Sequence, residues 1–254
     1  MPYVDLDGIK SYYEVHGAGE PVVLLHGGFC TIELTQSQLD HLASSYEVHA
    51  PERPGHGRTP DRDGPISFEG MVTDTLAYLD AFEVGPAHVV GFSDGAIIGL
   101  LLARDHPDRV RSLVAISGNL DPGGFVEETS SEGAASDHQD APDLDEWGIR
   151  AAYDRLSPDG PAHGDVVMEK LMAMWLSQPQ IAPESLAAVR APTLVMAGQH
   201  DAIRTDHTLL IAASVPGAQV AIVPGASHML MQERPGLVNL LIADFLGATG
   251  RSPV

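Results

Sequence analysis

The chain contains a single cysteine, Cys30, among its 254 residues. An internal disulfide bond is therefore excluded, and so is a metal site built from several thiolates. No run of about 18 apolar residues is present, as a membrane-spanning helix would require. The N-terminus lacks the basic region and apolar run of a signal peptide. We therefore expect a cytoplasmic protein that has no transmembrane segment and binds no metal.

Basic side chains are also scarce. The chain has 14 Lys and Arg residues against 35 Asp and Glu, a formal net charge of -21, and its only lysines are Lys10 and Lys170. Binding to nucleic acid or to an anionic membrane depends on neutralising phosphates with Lys and Arg, so neither partner is expected. The same charge disfavours anionic ligands, which leaves a small neutral or cationic molecule as the expected partner. Homo-oligomer formation is left open.

Strand and helix patterns alternate along a chain long enough for one domain. This alternation predicts an α/β fold with a mostly parallel sheet and helices on both faces. The strand patterns are at residues 9–15, 21–25, 46–50, 87–90, 110–116, 193–197 and 219–223. The helix patterns are at residues 37–45, 67–82, 95–104, 149–156, 166–177 and 235–246, the second with Ser67 as a capping residue.

The alternation is interrupted between residues 119 and 183, where no strand pattern occurs. Eight acids and no Lys or Arg lie within residues 125–146, which predicts a solvent-facing segment, and helix patterns follow it. Helices inserted between strands would lie over the carboxyl edge of the sheet, where open α/β sheets bind ligands. We therefore expect a helical cap at 119–183, inserted after the sixth strand, and a core formed by 1–118 and 184–254.

The segment Gly91-Phe92-Ser93-Asp94-Gly95 joins an apolar strand pattern to a strongly apolar helix pattern. A serine between two glycines at such a junction predicts a nucleophile elbow, a strained turn that exposes the serine hydroxyl. Glycine lets the chain bend sharply, and the helix directs its N-terminal amides toward the serine. Gly95 and Gly99 also leave one helix face smooth enough for close approach to the strands. Ser93 is the predicted nucleophile.

A serine nucleophile needs a base that a third group holds in place. His228 follows the strand pattern at 219–223 in a turn-rich segment, and Asp201 follows the pattern at 193–197. Their order after Ser93 along the chain is the one used by hydrolases that have this type of elbow. Asp121, which follows the pattern at 110–116, is the alternative acid.

Motifs at the ends of several predicted strands resemble those of the α/β-hydrolase superfamily over almost the whole chain. Besides the elbow they are His26-Gly27-Gly28, Arg53-Pro54-Gly55-His56-Gly57-Arg58-Thr59, Gly198-Gln199-His200-Asp201 and Gly225-Ala226-Ser227-His228. The sequence Ser93-Asp94-Gly95 is similar to the elbow of the valacyclovirase-like esterases. The resemblance implies the α/β-hydrolase fold.

The resemblance also implies roles for five residues. Ser93 would attack a carbonyl carbon, His228 would take and return the proton, and Asp201 would hold the imidazole in the productive tautomer. The backbone N–H groups of Phe29 and Asp94 would form the oxyanion hole. Because these two residues would act through their backbone, their side chains matter less than their positions.

The polar neighbours of these residues are interpreted mainly as structural. By resemblance, His26, Arg53 and His56 order the loops, and Cys30 is a passive neighbour. Two interpretations of the Asp94 side chain are left open. It is either an acid favoured by the helix dipole at the first turn or a contact for a cationic group of the substrate.

The substrate pocket is expected to be apolar and to lie at the same edge of the sheet. Its expected lining residues are Phe92, Met229 and two residues of the predicted cap, Met172 and Trp175.

The resemblance implies a serine hydrolase that cleaves carboxylic esters or related acyl substrates through an acyl-enzyme, without a cofactor. Lactone hydrolysis, carbon–carbon bond cleavage and perhydrolysis of the cofactor-free haloperoxidase type use the same triad and are alternatives. A serine at position 93 excludes the alkyl-enzyme chemistry of relatives that use an aspartate nucleophile. A small-molecule receptor with slow turnover is the non-enzyme alternative, and sustained turnover would distinguish the two.

Overall fold

A single eight-stranded sheet organises the computed structural model, which describes residues 2–126 and 147–249. Its strands lie in the spatial order β1-β2-β4-β3-β5-β6-β7-β8. The strands are β1 Tyr3–Leu6, β2 Ile9–Gly17, β3 Pro21–Leu25, β4 Glu47–Pro51, β5 Ala87–Phe92, β6 Val110–Ile116, β7 Thr193–His200 and β8 Gln219–Ser227. β2 pairs antiparallel with β1 and β4, and every other pairing is parallel. The prediction of a mostly parallel sheet is confirmed.

Helices cover both faces of this sheet. They are α1 Gln36–Leu42, α2 Phe68–Ala81, α3 Asp94–Asp105, α4 Ile149–Leu156, α5 Gly164–Trp175, α6 Thr205–Ser214, α7 Leu230–Glu233 and α8 Pro235–Thr249. Successive residues of a strand point to opposite faces, yet β5 is buried at every position and β3 at all but its first. Both faces of the central strands are therefore covered.

Local sequence accounts for the helices that flank the elbow. The Ser67 side chain accepts a hydrogen bond from the Gly70 N–H and caps α2, as predicted. A Cβ atom at Gly99 of α3 would lie 2.6 Å from Leu113 Cδ1 of β6. Since a side chain at position 99 would have to displace Leu113, Gly99 allows the close approach of α3 to the sheet that the sequence predicted.

Several elements differ from the sequence-based prediction. β7 and β8 continue to His200 and Ser227, so the residues that follow these two strand patterns, including the turn-rich segment before His228, are extended strand. The pairing of β7 with β8 absorbs this length through an irregularity between Gly198 and His200. β1, α6 and α7 were not predicted. β1 has only four residues, which is too short a pattern to predict a strand from the sequence. Its antiparallel pairing with β2 stabilises it.

Helices α4 and α5 lie between β6 and β7 in the chain, as expected for an insertion after the sixth strand. They contact loops that follow the carboxyl ends of the strands. Lys170 Nζ of α5 donates a 2.6 Å hydrogen bond to Asp61 Oδ2, and His163 Nε2 lies 2.9 Å from the same oxygen. Residues 127–146, which hold the eight acids of the segment predicted to face solvent, lie outside the described residues. The domain boundaries at 118/119 and 183/184 stay a prediction.

Within residues 2–126 and 147–249, none of the helices has both the length and the apolar character needed to cross a membrane. In the same two ranges, no three His, Cys, Asp or Glu side chains are grouped so that they could hold a metal ion.

Candidate active site

Ser93 occupies a strained turn between β5 and α3. Its φ of 53° lies in the left-handed region that residues with a side chain rarely adopt. The glycines on either side are required by close packing: a Cβ at Gly91 would lie 2.1 Å from Gly95 O, and one at Gly95 would lie 2.2 Å from Leu25 O. The turn therefore projects Ser93 while α3 begins directly against the end of β3.

His228 bridges the other two residues proposed from the sequence. Its Nε2 lies 3.2 Å from Ser93 Oγ, and its Nδ1 lies 2.7 Å from Asp201 Oδ1. β8 ends at Ser227, so His228 is the first residue beyond the strand. An imidazole held between a hydroxyl and a carboxylate is able to accept the hydroxyl proton and to be stabilised when it becomes charged.

Asp201 is surrounded by hydrogen-bond donors. Oδ1 also accepts from the Ile203 N–H at 3.0 Å, while Oδ2 accepts from Ser117 Oγ at 2.5 Å and from the Gly198 N–H at 3.0 Å. Burial acts to raise the pKa of Asp201, but the charge of His228 and the donated hydrogen bonds outweigh it and hold the pKa below its usual range. This carboxylate stays ionised near neutral pH.

The alternative acid, Asp121, has a different partner. Its side chain accepts a hydrogen bond from the Gly123 N–H and caps a short 3-10 helix. The structure thus brings Asp201, rather than Asp121, against His228.

The loop after β3 is held by Arg53. The guanidinium donates from Nη1 to His26 O at 2.8 Å and from Nη2 to Gly27 O at 2.9 Å. His26 Nε2 accepts from the Arg53 N–H at 3.3 Å, and Nδ1 lies 2.8 Å from Gly27 O. Burial and the charge of Arg53 lower the pKa of His26 well below its usual value, so the ring is neutral. These contacts fit the loop-ordering role expected of both residues.

Phe29 lies in this loop in a left-handed conformation, with φ of 56°. Its buried ring stacks on Tyr153 of α4, with 4.8 Å between centroids and 13° between planes. The α4 helix thereby fixes the side chain of a residue whose backbone N–H is a proposed oxyanion donor. The other proposed donor, Asp94, begins α3, which packs directly on Leu25 and His26 at the start of the same loop.

The Asp94 carboxylate is covered by the insertion. Trp175 Nε1 of α5 lies 3.0 Å from Oδ1 and 3.2 Å from Oδ2, and only 3% of Asp94 is exposed. Burial raises the pKa of Asp94 to about 6, although the charge of Arg53, the Trp175 hydrogen bond and the charge of His228 act in the opposite direction. Neither interpretation of Asp94 from the sequence included an indole partner.

The expected pocket residues lie in different environments. Phe92 and Met229 are each only 2% exposed, and the Phe92 ring packs against the His228 imidazole with 5.2 Å between centroids. Met172, on the same helix as Trp175, is exposed. Phe92 therefore packs against the imidazole of His228, whereas Met172 lies on the exposed side of α5.

Cys30 and His56, interpreted from the sequence as noncatalytic, both have strongly shifted pKa values. Burial raises the pKa of the Cys30 thiol to about 12, so it stays protonated and is a poor nucleophile. Burial and the neighbouring Arg53 lower the pKa of His56 to about 3.

Sequence reasoning missed three side chains that contact a site residue or its direct neighbour in the chain: Ser117, Tyr153 and Glu233. Glu233 Oε1 and Oε2 accept 2.7 Å hydrogen bonds from Ser227 Oγ and the Ser227 N–H, and Ser227 Oγ accepts from the Met229 N–H at 3.1 Å. The turn that carries His228 is thus held on both sides. The one available signal was the position of Ser117 directly after a strand, since the other two lie in helices.

Comparisons with known proteins place the sequence among hydrolases. A sequence model described as the alpha/beta hydrolase family matches residues 22–239. The putative carbamate hydrolase RutD of Azorhizobium caulinodans is 28% identical over 269 residues, covering 97% of this chain and 98% of that protein. The serine hydrolase BPHL of Mus musculus is 26% identical over 259 residues, covering 96% of this chain and 85% of that protein.

A solved structure supports the same grouping. The chain is similar, with a TM-score of 0.80 and 26% identity, to an enzyme whose structure was determined as an N-acyl homoserine lactone degrading enzyme. The match covers 96% of this chain and 100% of that one.

Proposed function

Because the chain belongs to the alpha/beta hydrolase family, we propose that it is a serine hydrolase that cleaves carboxylic esters or related acyl substrates through an acyl-enzyme. The observation that carries the proposal is the chain of contacts from Ser93 Oγ through His228 to Asp201, at 3.2 Å and 2.7 Å. A half-buried hydroxyl on a strained turn, a base within hydrogen-bond reach and a buried acceptor behind that base are the parts that acyl transfer needs.

In the first half of the proposed reaction, Ser93 Oγ attacks the carbonyl carbon while His228 Nε2 takes the hydroxyl proton. The electron pair of the carbonyl bond moves to oxygen, which accepts hydrogen bonds from the backbone N–H groups of Phe29 and Asp94. Asp201 stabilises the imidazolium. When the intermediate collapses, the bond to the leaving group breaks, His228 returns the proton to that group, and an ester on Ser93 remains.

In the second half, a water molecule takes the place of the leaving group. His228 removes a proton from the water, whose oxygen attacks the ester carbon, and the same two amides stabilise the second oxyanion. Collapse breaks the bond to Ser93 Oγ, which recovers its proton from His228, and the acid product leaves. Every amino-acid residue in this cycle belongs to this chain.

The proposed substrates are small neutral or cationic acyl compounds, since a net charge of -21 disfavours the approach of anions. The names of the relatives add two classes to simple esters. Carbamates and lactones both present a carbonyl carbon to the nucleophile, and each follows the same two half-reactions with a different leaving group. Carbon–carbon cleavage and perhydrolysis remain further alternatives for the same triad.

The first experiment follows product release from a panel of short- to medium-chain p-nitrophenyl esters, a lactone and a phenyl carbamate. We expect sustained release by the wild type, release at background level by Ser93→Ala, and wild-type release by Ser44→Ala, which alters an exposed serine as a matched control. A burst of one equivalent followed by near silence would instead favour the receptor alternative. Equal activity of the wild type and Ser93→Ala would contradict the proposal.

A further inference from the structure

Three segments of the chain meet at the Asp94 carboxylate. Asp94 opens α3 directly after the proposed nucleophile, Trp175 is the last residue of α5, and Gly28 lies in the loop after β3. The indole N–H of Trp175 is shared between the two carboxylate oxygens, at 3.0 Å and 3.2 Å. The insertion therefore contacts the residue next to Ser93 through a polar bond.

Gly28 completes this contact by leaving room for it. A Cβ atom at position 28 would lie 2.4 Å from Trp175 Cζ2 and 2.5 Å from Asp94 Oδ2. A side chain at position 28 would have to displace one of these two groups, so the glycine lets the indole and the carboxylate fill the space directly over the loop that contains Phe29. Any positively charged group that approached Asp94 from this side would have to displace the indole.

The two basic neighbours of Asp94 hydrogen-bond to other groups. The Arg53 guanidinium is close enough to lower the Asp94 pKa, but both of its Nη atoms donate to the carbonyl oxygens of His26 and Gly27. His228 is the other basic neighbour, and its two ring nitrogens face Ser93 and Asp201. The side-chain hydrogen bond that the carboxylate accepts comes from the uncharged indole.

We propose that Trp175 is a specificity-determining residue: its indole closes the Asp94 carboxylate to cationic groups, so the site selects neutral acyl substrates over cationic ones. The inference rests on the proposed hydrolase function and narrows its substrate class. It follows that removal of the indole N–H, or of the whole ring, turns Asp94 into an acceptor for a substrate ammonium group. The preference for neutral substrates thus depends on Trp175 of the insertion, which covers the Asp94 carboxylate of the elbow.

The test uses two esters that differ by one charge, p-nitrophenyl butanoate and p-nitrophenyl β-alaninate, in which an ammonium group replaces the terminal methyl. The wild type should favour the butanoate in kcat/KM. Trp175→Phe should shift the ratio toward the cationic ester by about tenfold or more, because one charge contact becomes available. Adding Asp94→Asn to Trp175→Phe should restore the wild-type ratio.

Leu176→Ala serves as the matched control, since Leu176 directly follows Trp175 and is 76% exposed. It should leave the ratio unchanged. A wild type that prefers the cationic ester, or a Trp175→Phe variant with the wild-type ratio, would overturn the inference. If the wild type hydrolyses neither ester in a Ser93-dependent way, the proposed function would be overturned instead.

A second measurement needs no turnover. Carbodiimide activation followed by coupling of glycinamide modifies accessible carboxylates, and peptide mapping locates them. Asp94 should resist coupling in the wild type and in Leu176→Ala, and should be modified in Trp175→Ala, with a melting curve showing that this variant is folded. Modification of Asp94 in the folded wild type, or resistance in folded Trp175→Ala, would refute the shielding role of the indole.

Discussion

Ser117 Oγ donates a 2.5 Å hydrogen bond to Asp201 Oδ2, the carboxylate oxygen that does not face His228. Ser117 is the first residue after β6, is only 2% exposed and has a φ of 55°, in the left-handed region. A side chain on one strand end thereby orients the acid carried by the neighbouring strand. The strained backbone conformation directs the hydroxyl to this oxygen.

Substitution of Ser117 should separate activity from stability. Ser117→Ala and Ser117→Gly both remove the hydroxyl, and loss of a hydrogen bond to a charged group should lower kcat by about tenfold in each. Glycine tolerates the left-handed conformation, so the free energy of unfolding of Ser117→Gly should exceed that of Ser117→Ala by about 1 kcal/mol. Ser117→Gly should therefore unfold at a higher temperature than Ser117→Ala. Steady-state kinetics and thermal melts check both points. Full activity in either variant would show that the bond does not position Asp201.

Asp201→Asn should lower kcat by roughly 10³ to 10⁴ while the fold is retained, because an amide does not stabilise the imidazolium and favours the wrong tautomer. Asp121→Asn is the matched control, and its activity should stay near that of the wild type because Asp121 bonds to Gly123 instead of His228. Ester kinetics together with circular dichroism make the comparison. The opposite ranking of the two variants would assign the acid to Asp121.

Glu233→Gln should lower kcat by several-fold and leave KM almost unchanged. Glu233 accepts two 2.7 Å hydrogen bonds from Ser227, the residue before His228, and an amide retains only one acceptor atom. Each lost bond is worth about 1 kcal/mol, and the loss should loosen the imidazole rather than the substrate site. The measurement is the split between kcat and KM. A rise in KM at constant kcat would place Glu233 in substrate binding instead.

Asp94→Asn should stabilise the protein at pH 7 and above but not below pH 4. Burial raises the Asp94 pKa to about 6 from an ordinary value of 3.8, so folding favours the protonated carboxyl. The stability that this form contributes is fully present below the unfolded-state pKa and is lost as the pH rises through the folded-state pKa. Asparagine is always neutral, so its advantage at high pH should reach about 1 to 3 kcal/mol.

Urea or thermal unfolding of the wild type and Asp94→Asn at several pH values tests this dependence. The difference between the two proteins should grow between about pH 4 and pH 6 and then level off. A difference that does not change with pH would mean that the buried carboxyl titrates normally, and that its neighbours compensate fully for burial.

Much of the site could be predicted from the sequence because its parts are carried by local patterns. Gly91 and Gly95 mark a turn that needs close packing, and that packing is present at 2.1 Å and 2.2 Å for the absent Cβ atoms. Asp201 and His228 could be named because carboxyl ends of parallel strands meet at one edge of a sheet. The extension of β7 and β8 could not be predicted, because the pairing of the two strands continues beyond their apolar residues.

By itself, the sequence determined the alternation of strands and helices, the elbow at Ser93, the order of the three residues that meet there, and the strongly negative charge. Tertiary structure alone decided which side chains support them. The Trp175 indole reaches Asp94 across 81 positions of the chain, and Ser117 reaches Asp201 across 84. Such contacts depend on how the insertion and the strand ends pack in three dimensions, and no local propensity or spacing encodes the distance between residues so far apart.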